Sequence, residues 1–187
     1  MDDRIVLDWL GLDSKGIPYY LHFLTPRFRE EPEALFRLRH AAAQFQLEPD
    51  RWGFVIRAAG WRAQLVACYA LIIANDGNCF EDLKTAFRWS SFVSPQIAVT
   101  LGLLHAQEAL VFLESFLKLE NSKDGKAVAA AYQILLQLGS PVAKCIDLKS
   151  IREKTYLATN RKNKTNFMMP DFMWHDNFDI GLRVALA

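Results

Sequence analysis

The chain has 187 residues, of which 51% are apolar and 23% charged, and a formal net charge of +1. That length is enough to bury the core of one domain, and that composition excludes a disordered chain. The balance runs from −1 over residues 1–60 through −2 over 61–120 to +4 over 121–187. A nucleic-acid binder usually carries a much larger basic excess, so phosphate recognition starts at a disadvantage.

Residues 1–16 read as an irregular lead-in, broken by Gly11 and Gly16, with Trp9 and Leu10 tucked onto the first helices. From Pro18 the run YYLHFL predicts a short helix that ends before Pro26, since the residue before a proline disfavours helix. Glu31-Pro32-Glu33 opens the next helix, with proline in the first turn and acids at the positive end of the dipole. Its stripe is Leu35, Leu38, Ala42 and Phe45. Pro49 starts a helix reaching Gly60 with Trp52, Val55, Ile56 and Ala59 inward.

The segment from Trp61, WRAQLVACYALIIAND, is apolar almost all round, which predicts a central helix covered on several sides. Asp76-Gly77 is its expected stop. Asn78 and Glu81 have the spacing of a capping box for a helix to Trp89. Ser94-Pro95 supplies a serine cap and a proline start. Residues 106–119 follow, with Ala109, Leu110, Leu113, Phe116 and Leu117 on one face. NSKDG is a loop, Lys126–Leu138 a helix stopped by Gly139, and Ser140-Pro141 another start. No stretch alternates as a strand would. The expected core includes Leu65, Val66, Tyr69, Leu101, Leu110, Leu113, Leu135 and Leu138.

LLHAQEAL at 103–110 and QLGSPVAK at 137–144 occupy like positions between helices, 34 residues apart. The pair 61–75 with 79–89 fits that period loosely. The expected fold is therefore all-α: a HEAT-like α-solenoid of stacked antiparallel helical hairpins, right-handed, with about eight helices. It is read as one domain, with a lead-in at 1–16, a helical stack at 17–148 and a C-terminal strap at 149–187. The strap contains NRKNKTN and then FMMPDFMWHDNF, whose large apolar groups lack helical spacing and are expected to lie back along the stack.

Chemistry-bearing patterns are sparse. His22, His40, His105 and His175 show no ligand spacing, and His175 with Asp171 and Asp176 lacks a further ligand, so no metal is expected. Cys68, Cys79 and Cys145 form no CxxC; Cys68 and Cys145 lie on apolar stripes, where a free cysteine packs as a small hydrophobe. There is no Gly-rich phosphate loop and no GxSxG elbow. Glu30-Glu31 and Glu81-Asp82 sit in first helical turns, where acids suit the dipole. No catalytic residue and no cofactor are assigned.

Two arginine–tryptophan pairs stand out. Trp61-Arg62 is read first as a stacked structural pair and second as a grip on a carboxylate. Arg88-Trp89 repeats the combination at a helix end. Tryptophan and arginine are favoured hot-spot residues of protein interfaces. The candidate partner-binding residues are Trp61, Arg62, Arg88, Trp89, Trp174 and His175.

The lead IPYYLHFL (17–24), the WRAQLVA helix (61–67) and the hairpin segments FVSPQIAVTLGLLHAQEALVFLESFL and AVAAAYQILLQLGSP resemble a small uncharacterised bacterial family, a domain of unknown function. The resemblance covers roughly 17–145 and rests mostly on core-type residues. It implies HEAT-like hairpins of the type found among toxin-immunity proteins, and it carries over no catalytic residue. The expected function is a protein-binding module, a cytoplasmic immunity protein (antitoxin) whose partner is a cognate toxin. The alternative is a nucleic-acid-binding or DNA-base-processing HEAT-like protein, with Trp61, Trp89, Arg62 and Arg88 on a basic face. The N-terminus MDDRIVLDWLGLD is unlike a secretory leader, and no apolar run approaches the roughly 20 residues of a membrane span.

Overall fold

The structure, a computed structural model, describes residues 11–19, 32–46, 50–58, 60–89, 93–119 and 125–146. Among these described residues eight α-helices follow one another. They are α1 (Pro32–Gln46), α2 (Asp50–Ala58), α3 (Trp61–Ala74), α4 (Phe80–Arg88), α5 (Ser94–Leu104), α6 (Ala106–Leu119), α7 (Gly125–Gln137) and α8 (Pro141–Cys145). Among the described residues there is no strand, only an isolated bridge between Leu12 and Pro18. Over the described residues the fold is all-helical, as the periodicity predicts. The expected helix beyond Tyr19, the first ten residues of the lead-in and the strap at 149–187 lie outside the described residues.

The helices pack in two rows. In the first, α1 meets α3, α3 meets α5 and α5 meets α7. In the second, α2 meets α4, and α4 reaches α6 through Phe87, whose ring lies edge-on to Phe112 and Phe116. Contacts between α2 and α3, α4 and α5, and α6 and α7 tie the rows together.

The first row is the core. Ten consecutive residues of α3, Ala63 to Ile72, are buried, and so are nine of α5, Ser94 to Gly102. Both helices lack a polar face because both are enclosed. Burial of each large apolar side chain there is worth about 1.5–3 kcal/mol. Two polar side chains that enter this core find backbone partners. The Gln64 amide donates to the Ile56 carbonyl at 2.8 Å, and the Thr100 hydroxyl donates to the Gln96 carbonyl at 2.8 Å. The second row is amphipathic: α4 buries Leu83, Ala86 and Phe87 and exposes Glu81 and Arg88.

Helix ends depart from the sequence reading in instructive ways. The stop of α3 is Asn75, in the left-handed region at φ 50°, one residue before the expected Asp76-Gly77. Its amide donates to Ile72 and that of Asp76 to Leu71, a Schellman ending. Gly139 (φ 75°) ends α7 in the same way, with Ser140 donating to Leu135. The Asn78/Glu81 capping box does not form. Cys79 is the N-cap without a side-chain cap bond, and Glu81 instead binds Lys84. Asn78 is taken up by a turn in which its amide donates to Asp76 Oδ1. Ser94 is the first helical residue, buried, with Val93 as N-cap. Ser140 does cap α8, its hydroxyl accepting from the Val142 and Ala143 amides.

Of the expected core, Leu65, Val66, Tyr69, Leu101, Leu113 and Leu135 are buried; Leu110 and Leu138 are only partly so, packed on its edge. In α1 the deepest residues are Ala34, Leu38 and Ala42, with Leu35 partly buried. Cys68 and Cys79 are buried, but Cys145 is exposed, because it is the last residue of a five-residue helix and no described neighbour covers that side. The first-row helices start at residues 32, 61, 94 and 125, an uneven spacing rather than a constant 34. That offset relates His105, the C-cap of α5, to Gly139, which ends α7.

Candidate functional site

The second row carries the most distinctive side-chain arrangement. On α4, Phe80, Lys84 and Arg88 recur every fourth residue and share one face. On α6, Phe112 and Phe116 do the same. Lys84 Nζ lies 4.9 Å from the centre of the Phe80 ring and 5.7 Å from that of Phe112. The Arg88 guanidinium lies over Phe112 at 5.2 Å. Beneath them Phe87 meets Phe112 at 5.9 Å and Phe116 at 4.9 Å, both edge-on, the favoured geometry for aromatic pairs. The two cations thus rest on an aromatic floor shared by α4 and α6, each contact adding about 0.5–1 kcal/mol at an exposed site.

The charges on α4 are unequally satisfied. Glu81 binds Lys84 through both oxygens, at 2.7 and 3.0 Å. Asp82 pairs with Arg57 of α2. A Cβ at Gly53 would run into the Asp82 carboxylate, so glycine is what lets α2 and α4 approach here. Arg88 has no carboxylate partner among the described residues; its interaction is with the Phe112 ring.

Two exposed apolar side chains flank this stack in sequence. Trp89, the C-cap of α4, is 66% exposed, and Val111, next to Phe112, is 68% exposed. The sequence alone pairs Arg88 with Trp89 by adjacency, but neighbouring helical residues point apart, and the arginine turns to Phe112 instead. Phe112 is a site residue that sequence reasoning misses; its helical spacing with Phe116 marks core, not a platform for a cation.

Trp61 and Arg62 open α3 in the other row. The Arg62 guanidinium stacks on the Trp61 ring at 4.5 Å, and Trp61 packs against the core. No hydrogen bond, ion pair or ring contact joins this pair to Arg88 or Trp89 among the described residues. Trp174 and His175 lie outside the described residues.

The two buried thiols, Cys68 and Cys79, are poor nucleophiles. Burial pushes Cys68 up to about 12, partly offset by a hydrogen bond with Thr100. Burial, then the carboxylates of Asp76 and Asp82, push Cys79 to about 12 against the pull of Arg57. The α3–α5 contact lined by Cys68, Tyr69, Ile72, Gln96, Val99 and Thr100 leaves no space a water molecule could enter. Among the described residues no group of three His, Cys, Asp or Glu side chains could hold a metal ion. His105 packs on Phe80 at 4.8 Å, close under Gly77. No described helix is long and apolar enough to cross a membrane.

No family model, curated protein or solved structure matches the chain.

Proposed function

We propose that the chain is a protein-binding module built as a HEAT-like stack of helical hairpins, and that it serves as a cytoplasmic immunity protein neutralising a bacterial toxin by direct binding. The observation that carries the binding role is the α4–α6 face. There cations are seated on aromatic rings, and the chain neighbours of Arg88 and Phe112 are a two-thirds-exposed tryptophan and an exposed valine. Aromatic and arginine side chains in such a setting are the residues from which interface hot spots are made. The α1–α3–α5–α7 row supports the hairpin-stack reading, with α2 and α4 lying alongside. Because α3 and α5 are enclosed, the docking face in this reading is the second row. The toxin-immunity assignment rests on the family resemblance described above.

Co-expression with the product of a neighbouring toxin-like reading frame tests this. The expected result is a co-purifying complex, protection of the host cell, and at least about a 10-fold weaker complex for Trp89→Ala, the size of a modest hot spot. Absence of both complex and protection would overturn the immunity assignment. Retention on DNA at low salt, lost steeply as salt rises, would put a nucleic-acid function in its place.

A further inference from the structure

We infer that the Arg88–Trp89 corner receives an acidic side chain of the partner, a glutamate or aspartate next to a bulky apolar residue. The inference rests on the protein-binding reading above and names the chemistry of its contact point. Besides Arg88, three charged side chains of α4 face or border the second-row surface. Glu81 and Lys84 satisfy each other, and Asp82 is taken by Arg57 of α2. Arg88 is left without a counter-charge among the described residues, and no acid of α6 fills the gap. Glu114 is engaged by Ser140 at 2.6 Å, and Glu108 is not within ion-pair distance of Arg88.

Arg88 is also held ready. Its guanidinium rests over Phe112 at 5.2 Å, and that stacking leaves its N–H donors unused by any described acceptor. A planar donor fork matches a carboxylate, and such charge-assisted bonds are about twice as strong as neutral ones. Part of the arginine's charge is offset by the negative end of α4, but backbone carbonyls do not occupy its donors here. Trp89 and Val111, the chain neighbours of Arg88 and Phe112, are both largely exposed and offer apolar surface to a ligand long enough to reach past the guanidinium. A neutral apolar ligand would leave the cation desolvated without a partner, which is costly. A phosphate-rich polyanion would have to meet Glu81 and Glu108, both exposed on the same pair of helices. A single carboxylate beside an apolar group fits better than either.

The test uses the full chain, labelled with nitrogen-15, and two blocked peptides: acetyl-Leu-Glu-Phe-amide and its neutral counterpart acetyl-Leu-Gln-Phe-amide. The Trp89 indole N–H signal, identified by its loss in Trp89→Phe, reports binding. The glutamate peptide should shift that signal saturably, and the glutamine peptide should bind about 10-fold more weakly or less. Arg88→Gln, a change at an exposed position, should erase the difference between peptides while the rest of the spectrum stays folded. Equal shifts from both peptides, or none from either at millimolar concentration, would overturn the inference. The module reading fails separately, by the absence of any toxin complex; if Arg88→Gln leaves a toxin complex at full strength, that reading stands and the carboxylate contact at Arg88 is overturned.

Discussion

Cys68 and Cys79 tie residue-level chemistry to stability. Both thiols hold their protons in the fold up to about 12, against an ordinary value of 9.0. An unfolded chain gives those protons up near 9.0, so the stability they contribute is whole below that pH. It drains away as pH climbs from 9.0 towards about 12. Tyr69, pushed up by its own burial, acts in the same direction. The melting temperature should therefore fall through this window, and less steeply in a Cys68→Ala/Cys79→Ala chain. Gly53 offers a test with a sign change. Alanine gains up to about 1 kcal/mol in a helix interior, but its Cβ would strike the Asp82 carboxylate. Overpacking of that kind costs about 1–3 kcal/mol, so Gly53→Ala should lower stability by about 1 kcal/mol. In an Asp82→Ala background the same change should raise it, as chemical denaturation of the four chains will show.

At the scale of the element, α8 has five residues and depends on its cap. The Ser140 hydroxyl accepts from two backbone amides and donates to Glu114 of α6, so one side chain starts α8 and fastens it to the second row. Ser140→Ala should cost about 1–2 kcal/mol in urea denaturation. Glycine, serine and proline in succession make this junction legible in the sequence. The same signals mislead at α4 and α5. Asn78 has the spacing of a cap, yet Asp76 captures its amide and Lys84 captures Glu81. Ser94 precedes a proline, yet it is drawn one residue into the helix and buried. Capping motifs report local preference, and a neighbour two or three residues away can outbid them. The seat of Arg88 on Phe112 is illegible for a different reason: it joins residues of two helices whose mutual placement no spacing encodes.

Over the whole molecule, what periodicity reveals is which helices are enclosed. The run from Trp61 has no polar face, and α3 is buried over ten consecutive residues; SPQIAVTLG behaves likewise in α5. What it does not reveal is the two-row order, because α1 meets α3 and α2 meets α4 through contacts far apart in sequence. The 34-residue offset catches two helix ends of the same row but not the uneven starts that precede them.

The enclosure of α3 and α5 also decides how the gene tolerates change. In an amphipathic helix roughly every third or fourth codon is critical, and the codons between them drift freely. Along Ala63–Ile72 and Ser94–Gly102 there are no such free codons, since every residue is buried. A saturation-mutagenesis library scored for soluble protein should therefore show two unbroken blocks in which charged replacements are lost. α4 and α6 should show helical stripes instead. On the protein-binding reading proposed above, adaptation to a new partner would be channelled into the second row, where Trp89, Val111 and their exposed neighbours can vary without entering the core.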